Sequence, residues 1–148
     1  MSTRTDDKPL FGDQHVKRYR ETGGEEGHDW RGTQTLLLTT TGRKTGEKHT
    51  SALIYQPYGD AYLIVASKGG APAPPAWYLN LTEHPRVEVQ VRDDVFPARA
   101  RTATAEEKPD MWRTMTATWP AYDDYQRKTD RDIPVVVLEP QRVAPREA

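Results

Sequence analysis

Apolar residues fall in short runs separated by glycine, proline and aspartate, the punctuation of a chain built mainly from strands. Residues 35–41, TLLLTTT, are branched and apolar, and a glycine-bearing turn follows over 42–46. Residues 49–55 are the next strand candidate, so the two read as a hairpin with a basic connection. A turn at Tyr58, Gly59 and Asp60 leads into 61–67, AYLIVAS, apolar enough to be buried on both faces. Prolines and glycines exclude a regular element over 68–75. Residues 76–81 suit one helical stretch ending before Pro85. Val87, Val89 and Val91 alternate with Glu88, Gln90 and Arg92, which marks a strand with one wet face. Asp93 and Asp94 turn the chain, and 95–104 return as the antiparallel partner. Thr104 and Glu107 have capping-box spacing, and Met111, Met115 and Trp119 recur every fourth residue, as one packed helix face requires. Pro109 is awkward inside that helix and moves its expected start past Lys108. Tyr122 and Tyr125 lie on a short following segment, and 134–139, PVVVLE, form the last strand. Near the amino terminus, Asp13 is a candidate cap for a helix through His15 and Tyr19 that stops at Gly23 and Gly24. Five or six antiparallel strands with few helices predict a small barrel or a strongly curled sheet.

Composition narrows this picture. A chain of 148 residues suits one domain. We divide it into a polar segment with a short helix, 1–30, and a single barrel domain, 31–148, and expect the first dozen residues to be mobile. The formal net charge of -1 argues against a protein that coats nucleic acid, so any cations that matter must be concentrated locally. Cysteine is absent, which removes disulfides, thiolate metal sites and a cysteine nucleophile. The four histidines lie far apart and show no ligand spacing, so no metal is expected. No apolar run approaches the roughly 20 residues of a membrane span, and the amino terminus lacks the apolar stretch of a secretory signal. A cytoplasmic protein is the expectation.

Three places can carry chemistry. In the turn Gly42, Arg43, Lys44, Thr45, Gly46, followed by Lys48 and His49, two adjacent cations sit beside glycine backbone. This is either an anion nest or an ordinary hairpin turn with solubilising charge. It is not a Walker A loop, because the glycine spacing is missing. The second place is Ser67, Lys68, Gly69 and Gly70, with Trp77 and Tyr78 beyond the prolines. Paired glycines after a buried strand allow close backbone approach to a ligand, and Trp77 offers a surface to a flat ring. Tyr78 and Leu81 read better as core. The third is Trp119, Tyr122 and Tyr125, where a cavity wall and plain packing stand level. Asp123 and Asp124, adjacent on a helix, point apart and make a poor acid–base pair. No nucleophile elbow accompanies Ser51 or Ser67, which disfavours hydrolysis.

The succession LLLTTTGRKTG, IVASKGGAP, PAWYLNL, VEVQV, YDDYQ and DIPVVVLEP resembles the deazaflavin-dependent nitroreductase and quinone reductase family from about residue 33 to 140. The resemblance implies a mainly β fold with flanking helices, a split β-barrel of the flavin-reductase (FMN-binding) type. It also implies coenzyme F-420, a flat deazaflavin on an anionic stem of phosphodiester and glutamates. By the same resemblance Arg43, Lys44, Thr45, Lys48 and His49 would hold the stem. Ala66, Ser67, Lys68, Gly69 and Gly70 would lie along the deazaflavin, with Ala76 and Trp77 beside the rings. Tyr122, Tyr125 and Ser67 would face the acceptor as the catalytic set. Two departures matter. His49 stands where members often carry arginine, which makes one charge pH-dependent. Trp119 stands where nitroimidazole-reducing members have tyrosine. The long amphipathic amino-terminal extension of membrane-associated members is not expected here.

The implied reaction is hydride transfer from the reduced deazaflavin to a quinone, an enone or a nitroaromatic, with a tyrosine or water supplying the proton. The protein would contribute mostly proximity and orientation. An FMN-dependent reductase on the same barrel is the runner-up, disfavoured because FMN lacks the glutamates that Lys44 and Lys48 would meet. A non-catalytic coenzyme carrier is the alternative from another class. A homodimer is compatible with the sequence.

Overall fold

The computed structural model describes residues 10–141. Eight strands and four helices follow in the order α1 Gly12–Thr22, β1 Asp29–Trp30, β2 Thr33–Thr41, β3 Lys48–Ile54, β4 Gln56–Tyr58, β5 Ala61–Val65, α2 Ala76–Glu83, β6 Arg86–Val91, β7 Asp94–Thr102, α3 Lys108–Thr118, α4 Ala121–Arg127 and β8 Val135–Pro140. All strands belong to one antiparallel sheet ordered β1-β2-β6-β7-β8-β5-β4, with β3 on the other side of β2. Only Tyr55 separates β3 from β4, and its amide continues the ladder by donating to Gln34 O at 3.0 Å. One bent strand therefore joins the β2 end of the sheet to the β5 end and curls it into a split barrel.

Side-chain alternation fills this barrel. Leu36, Leu38, Ile64, Val89, Phe96, Val136 and Leu138 meet inside it. The opposite faces of β5 and β8, through Leu63, Val65, Val135 and Val137, pack under Met111 and Met115 of α3 and Tyr122 of α4. These two strands are thus buried on both faces, as the apolar run at 61–67 predicts. Each such aliphatic side chain contributes about 1.5–3 kcal/mol by leaving water.

Local signals differ from the expectation in three places. Asp13 sits in the first turn of α1, while Phe11 is the cap residue and makes no side-chain cap bond. The helix does stop at Gly23, whose φ of 61° is open to glycine at little cost. The capping box is present, with Thr104 N donating to Glu107 Oε1 at 2.9 Å and Glu107 N donating to Thr104 Oγ1 at 3.2 Å. α3 starts at Lys108, so Pro109 falls in its first turn, where no amide hydrogen is needed. The strand count exceeds five or six because β1 and β4, of two and three residues, are too short to leave a periodic signal.

Candidate active site

The basic turn joins β2 to β3. Gly42 N donates to Glu47 O at 2.7 Å and Gly46 N to Gly42 O at 2.9 Å. A Cβ at Gly42 would meet Glu47 O, His49 Nε2 and Thr45 Oγ1 at 3.1–3.2 Å, so the turn folds tightly over this position. Across from it, Asn80 on α2 is buried and accepts through Oδ1 from the Arg43 amide (3.2 Å) and the Arg43 guanidinium (2.9 Å). Its Nδ2 donates to Thr40 Oγ1 at 3.2 Å. Turn and helix enclose a cavity of about 310 Å³ lined by Arg43, Lys44, Thr45, His49, Ala76 and Trp77, among others. No carboxylate lines it, and Arg43 is held by a neutral amide, so its charge is left for an anion.

Lys48 does not join them. Alternation along β3 turns His49 and Ser51 toward this cavity and Lys48 and Thr50 toward the outer face of the sheet. There Lys48 Nζ donates to Thr41 Oγ1 at 2.9 Å.

A second cavity, of about 390 Å³, adjoins the first through Trp77, which lines both. Its floor is Val65, Ser67, Lys68 and Gly69, and its walls include Trp30, Trp119, Tyr122, Tyr125 and His15. The floor is a short 3-10 turn, Lys68–Gly70, in which Lys68 (φ 47°), Gly69 and Gly70 all take the left-handed conformation. Arg131 fastens this loop. Its guanidinium donates to Ala71 O at 2.8 Å, Ser67 O at 2.7 Å and Ala66 O at 3.3 Å. Gly70 lies under α4, where an added Cβ would stand 2.6 Å from Tyr125 O. The loop and the tyrosine-bearing helix are therefore held as one piece.

Tyr122 is 5% exposed, and burial pushes its phenol well above the ordinary range. Such a hydroxyl orients a ligand by hydrogen bonding but gives up its proton reluctantly. Tyr125 stacks edge-on to Tyr122 and accepts from Trp119 Nε1 at 3.3 Å. Trp119 lies 5.9 Å from Trp30, and the Arg31 guanidinium sits over both rings at 5.9 and 5.5 Å.

The structure thus brings Arg43, Lys44, Thr45, His49, Ala76 and Trp77 to one cavity and Ser67, Lys68, Gly69, Trp77, Tyr122 and Tyr125 to the other. Ala66 and Gly70 are buried behind the loop rather than on a cavity wall. Sequence reasoning passed over Asn80, Arg131, Trp30 and His15. A lone asparagine inside the apolar helical run WYLNL was a readable signal for Asn80; the others carry none until the chain folds.

A model of the F420H(2)-dependent quinone reductase family matches residues 12–140. This chain belongs to that family. An F420H(2)-dependent quinone reductase of Mycobacterium tuberculosis (strain H37Rv) is 44% identical over 129 residues, 84% of this chain and 86% of its own. A solved F420-H2 dependent reductase, FDR-A, is 42% identical with a TM-score of 0.66, over 71% of this chain and 93% of its own. Another solved structure, described as a domain-swapped dimer, is 38% identical with a TM-score of 0.70, over 86% of this chain and 95% of its own. For a member of the F420H(2)-dependent quinone reductase family the donor set fits the coenzyme: a carboxylate-free basic cavity for an anionic stem opens beside an aromatic one for a flat head. Among the described residues no helix is long and apolar enough to cross a membrane, and no cluster of His, Cys, Asp or Glu could hold a metal.

Proposed function

We propose that this chain is a deazaflavin-dependent reductase that uses reduced coenzyme F-420 to reduce a quinone. The observation that carries the reading is the pair of cavities meeting at Trp77, one basic and free of carboxylates, the other aromatic. Arg43, Lys44, Thr45 and His49 would hold the anionic stem, and Ser67, Lys68 and Gly69 would lie along the ring. Bound there, the coenzyme supplies a hydride. The protein holds the loop rigid through Arg131 and Gly70, keeps the acceptor against the aromatic walls, and orients its oxygen through the Tyr122 and Ser67 hydroxyls. Keeping water out and the reactants parallel accounts for most of the rate gain.

A quinone is favoured over a nitroaromatic because Trp119 offers an indole N–H already bonded to Tyr125, not a free hydroxyl. An enone would fit the same walls. The test mixes protein and reduced coenzyme F-420 with 1,4-naphthoquinone, cyclohexenone and a nitroimidazole in turn and follows loss of the reduced coenzyme. Fastest turnover with the quinone is expected; none above the protein-free rate with any acceptor defeats the reading. The case against FMN rested on two extra cations, of which only Lys44 lies at the basic cavity, so competition between the two coenzymes for the apo-protein belongs in the same series. The similar domain-swapped dimer supports a homodimer, which light scattering on the purified chain tests.

A further inference from the structure

His15 lines the aromatic cavity on the wall formed by α1, and only 4% of its surface is exposed. Its Nε2 lies 2.9 Å from Gly27 O and 3.3 Å from Thr35 Oγ1. Gly27 O can only accept, and the Thr35 hydroxyl already donates its hydrogen to that carbonyl at 2.6 Å. Both neighbours are therefore acceptors, and the hydrogen of the neutral ring resides on Nε2. The fit depends on Gly27 itself: at φ 108° a Cβ there would stand 3.0 Å from His15 Cδ2 and 3.2 Å from Nε2. The imidazole also lies nearly parallel to Trp30, with centroids 6.1 Å apart.

That leaves Nδ1, which has no hydrogen-bond partner among the described residues. Among those residues no fully buried side-chain nitrogen or oxygen lacks a partner, so Nδ1 keeps an opening, and the void that His15 lines is this cavity. The protein fixes one nitrogen of the ring and leaves the other unpaired among the described residues, on a side chain that lines this cavity. We propose that His15 is the catalytic proton donor to the reduced acceptor, acting through Nδ1 from the wall formed by α1. The inference rests on the reductase reading above and names the group that completes it.

The chemistry needs such a group. Hydride carries two electrons and one hydrogen to one end of a conjugated quinone, and the displaced electron pair collects on the oxygen at the other end. Protonated His15 breaks its Nδ1–H bond and forms the O–H bond of the hydroquinone. Solvent then returns a proton to His15, matching the one that the oxidised coenzyme releases, so charge and atoms balance. Tyr122 is a poor candidate for this step, since burial makes its phenol hold its proton. Gly27 and Thr35 accept from Nε2–H whether the ring is neutral or charged, so the imidazole need not move as it cycles.

Two substitutions separate catalysis from structure. Gln places its amide near Nε2 and keeps the bond to Gly27, whereas Asn places its amide near Nδ1. Under the proposal His15→Gln binds coenzyme F-420 as the wild type does but loses about 100-fold in kcat, the weight of a general acid. His15→Asn would recover part of the affinity for the acceptor without the turnover. Wild-type turnover in His15→Gln would overturn the proposal and leave His15 a support for Gly27. A readout free of the coenzyme is 15N NMR of the histidine-labelled apo-protein titrated with 1,4-dihydroxynaphthalene. The His15 Nδ1 resonance should shift while Nε2 holds; an unmoved Nδ1 in a protein that reduces naphthoquinone overturns the proposal even if the variant misfolds. Failure of the wild type to reduce any acceptor instead removes the reductase reading.

Discussion

The two cavities are built in opposite ways. The basic one draws almost wholly on a single hairpin turn and the first turns of α2, segments whose side chains are close in sequence. The aromatic one gathers Phe11, Trp30, Ser67, Trp77, Trp119 and Tyr122 from stretches spread along the chain, and shares Trp77 of α2 with the first. A charge cluster can be assembled locally, because like-charged side chains tolerate water while they wait for a ligand. Flat apolar walls gain by leaving water together, and here they come from distant elements whose rings pack on one another, Phe11 on Trp30 and Trp30 on Trp119. Loss of one residue should therefore weaken the basic cavity by degrees and distort the aromatic one as a whole.

The sharpest break is Gly70→Val. A Cβ there meets Tyr125 backbone at 2.6–3.0 Å with φ at 85°, and neither can yield cheaply. A loss of about 3 kcal/mol is expected from overpacking and strain together, read by urea unfolding, with turnover falling further than coenzyme affinity. Next is Arg43→Glu, which replaces an attraction by a repulsion in a cavity without carboxylates. Coenzyme affinity should drop about 100-fold at low salt and the deficit should shrink as salt rises, with about 1 kcal/mol of stability lost alongside because the Arg43 amide alone remains on the buried Asn80 oxygen. Asn80→Ala should cost about 1–2 kcal/mol of stability through the lost buried bonds, and about 10-fold in affinity because Arg43 is no longer aimed.

A smaller effect tells the two regions apart by pH. His28 supports the loop that carries Gly27 and Trp30, bonding to Tyr55 OH at 2.9 Å and Asp29 Oδ1 at 3.1 Å. Burial holds its imidazole below the ordinary range, with the Asp29 carboxylate pulling the other way. A base depressed in the folded state contributes stability that is present above its unfolded value, near 6.5, and is lost as pH falls toward the folded one. Tm should thus decline below about pH 6.5, and His28→Gln should flatten that slope without changing coenzyme affinity. The smallest expected effect is Lys48→Ala: less than about 2-fold in coenzyme affinity, since an exposed cation on the far face of β3 is screened from the cavity. A loss as large as that from Arg43→Glu would show that the stem crosses the sheet edge.

The legible parts of the molecule were those governed by a short repeat. The hairpin at 42–46, the valine alternation in β6, the Thr104–Glu107 box and the stop at Gly23 each rest on residues within a few positions of one another, and each is found in the structure. Lys48 shows where reading by proximity fails. It follows the basic turn in sequence, but a strand turns successive side chains to opposite faces, so it parts from His49. His15 and Trp30 failed for another reason. Both sit in the 1–30 segment that reads as polar, and nothing nearby marks them as cavity walls.

The sequence by itself determined a mainly antiparallel barrel, the position of its basic turn and glycine loop, and the family whose succession of motifs it carries, because each depends on local periodicity or backbone permission. Only the tertiary structure decided which face each side chain takes, that Arg131 and Gly70 lock the loop to α4, and that α1 brings an imidazole to the wall of the aromatic cavity. Those are meetings between residues tens of positions apart, and the burial that enforces them exists only once the barrel has closed.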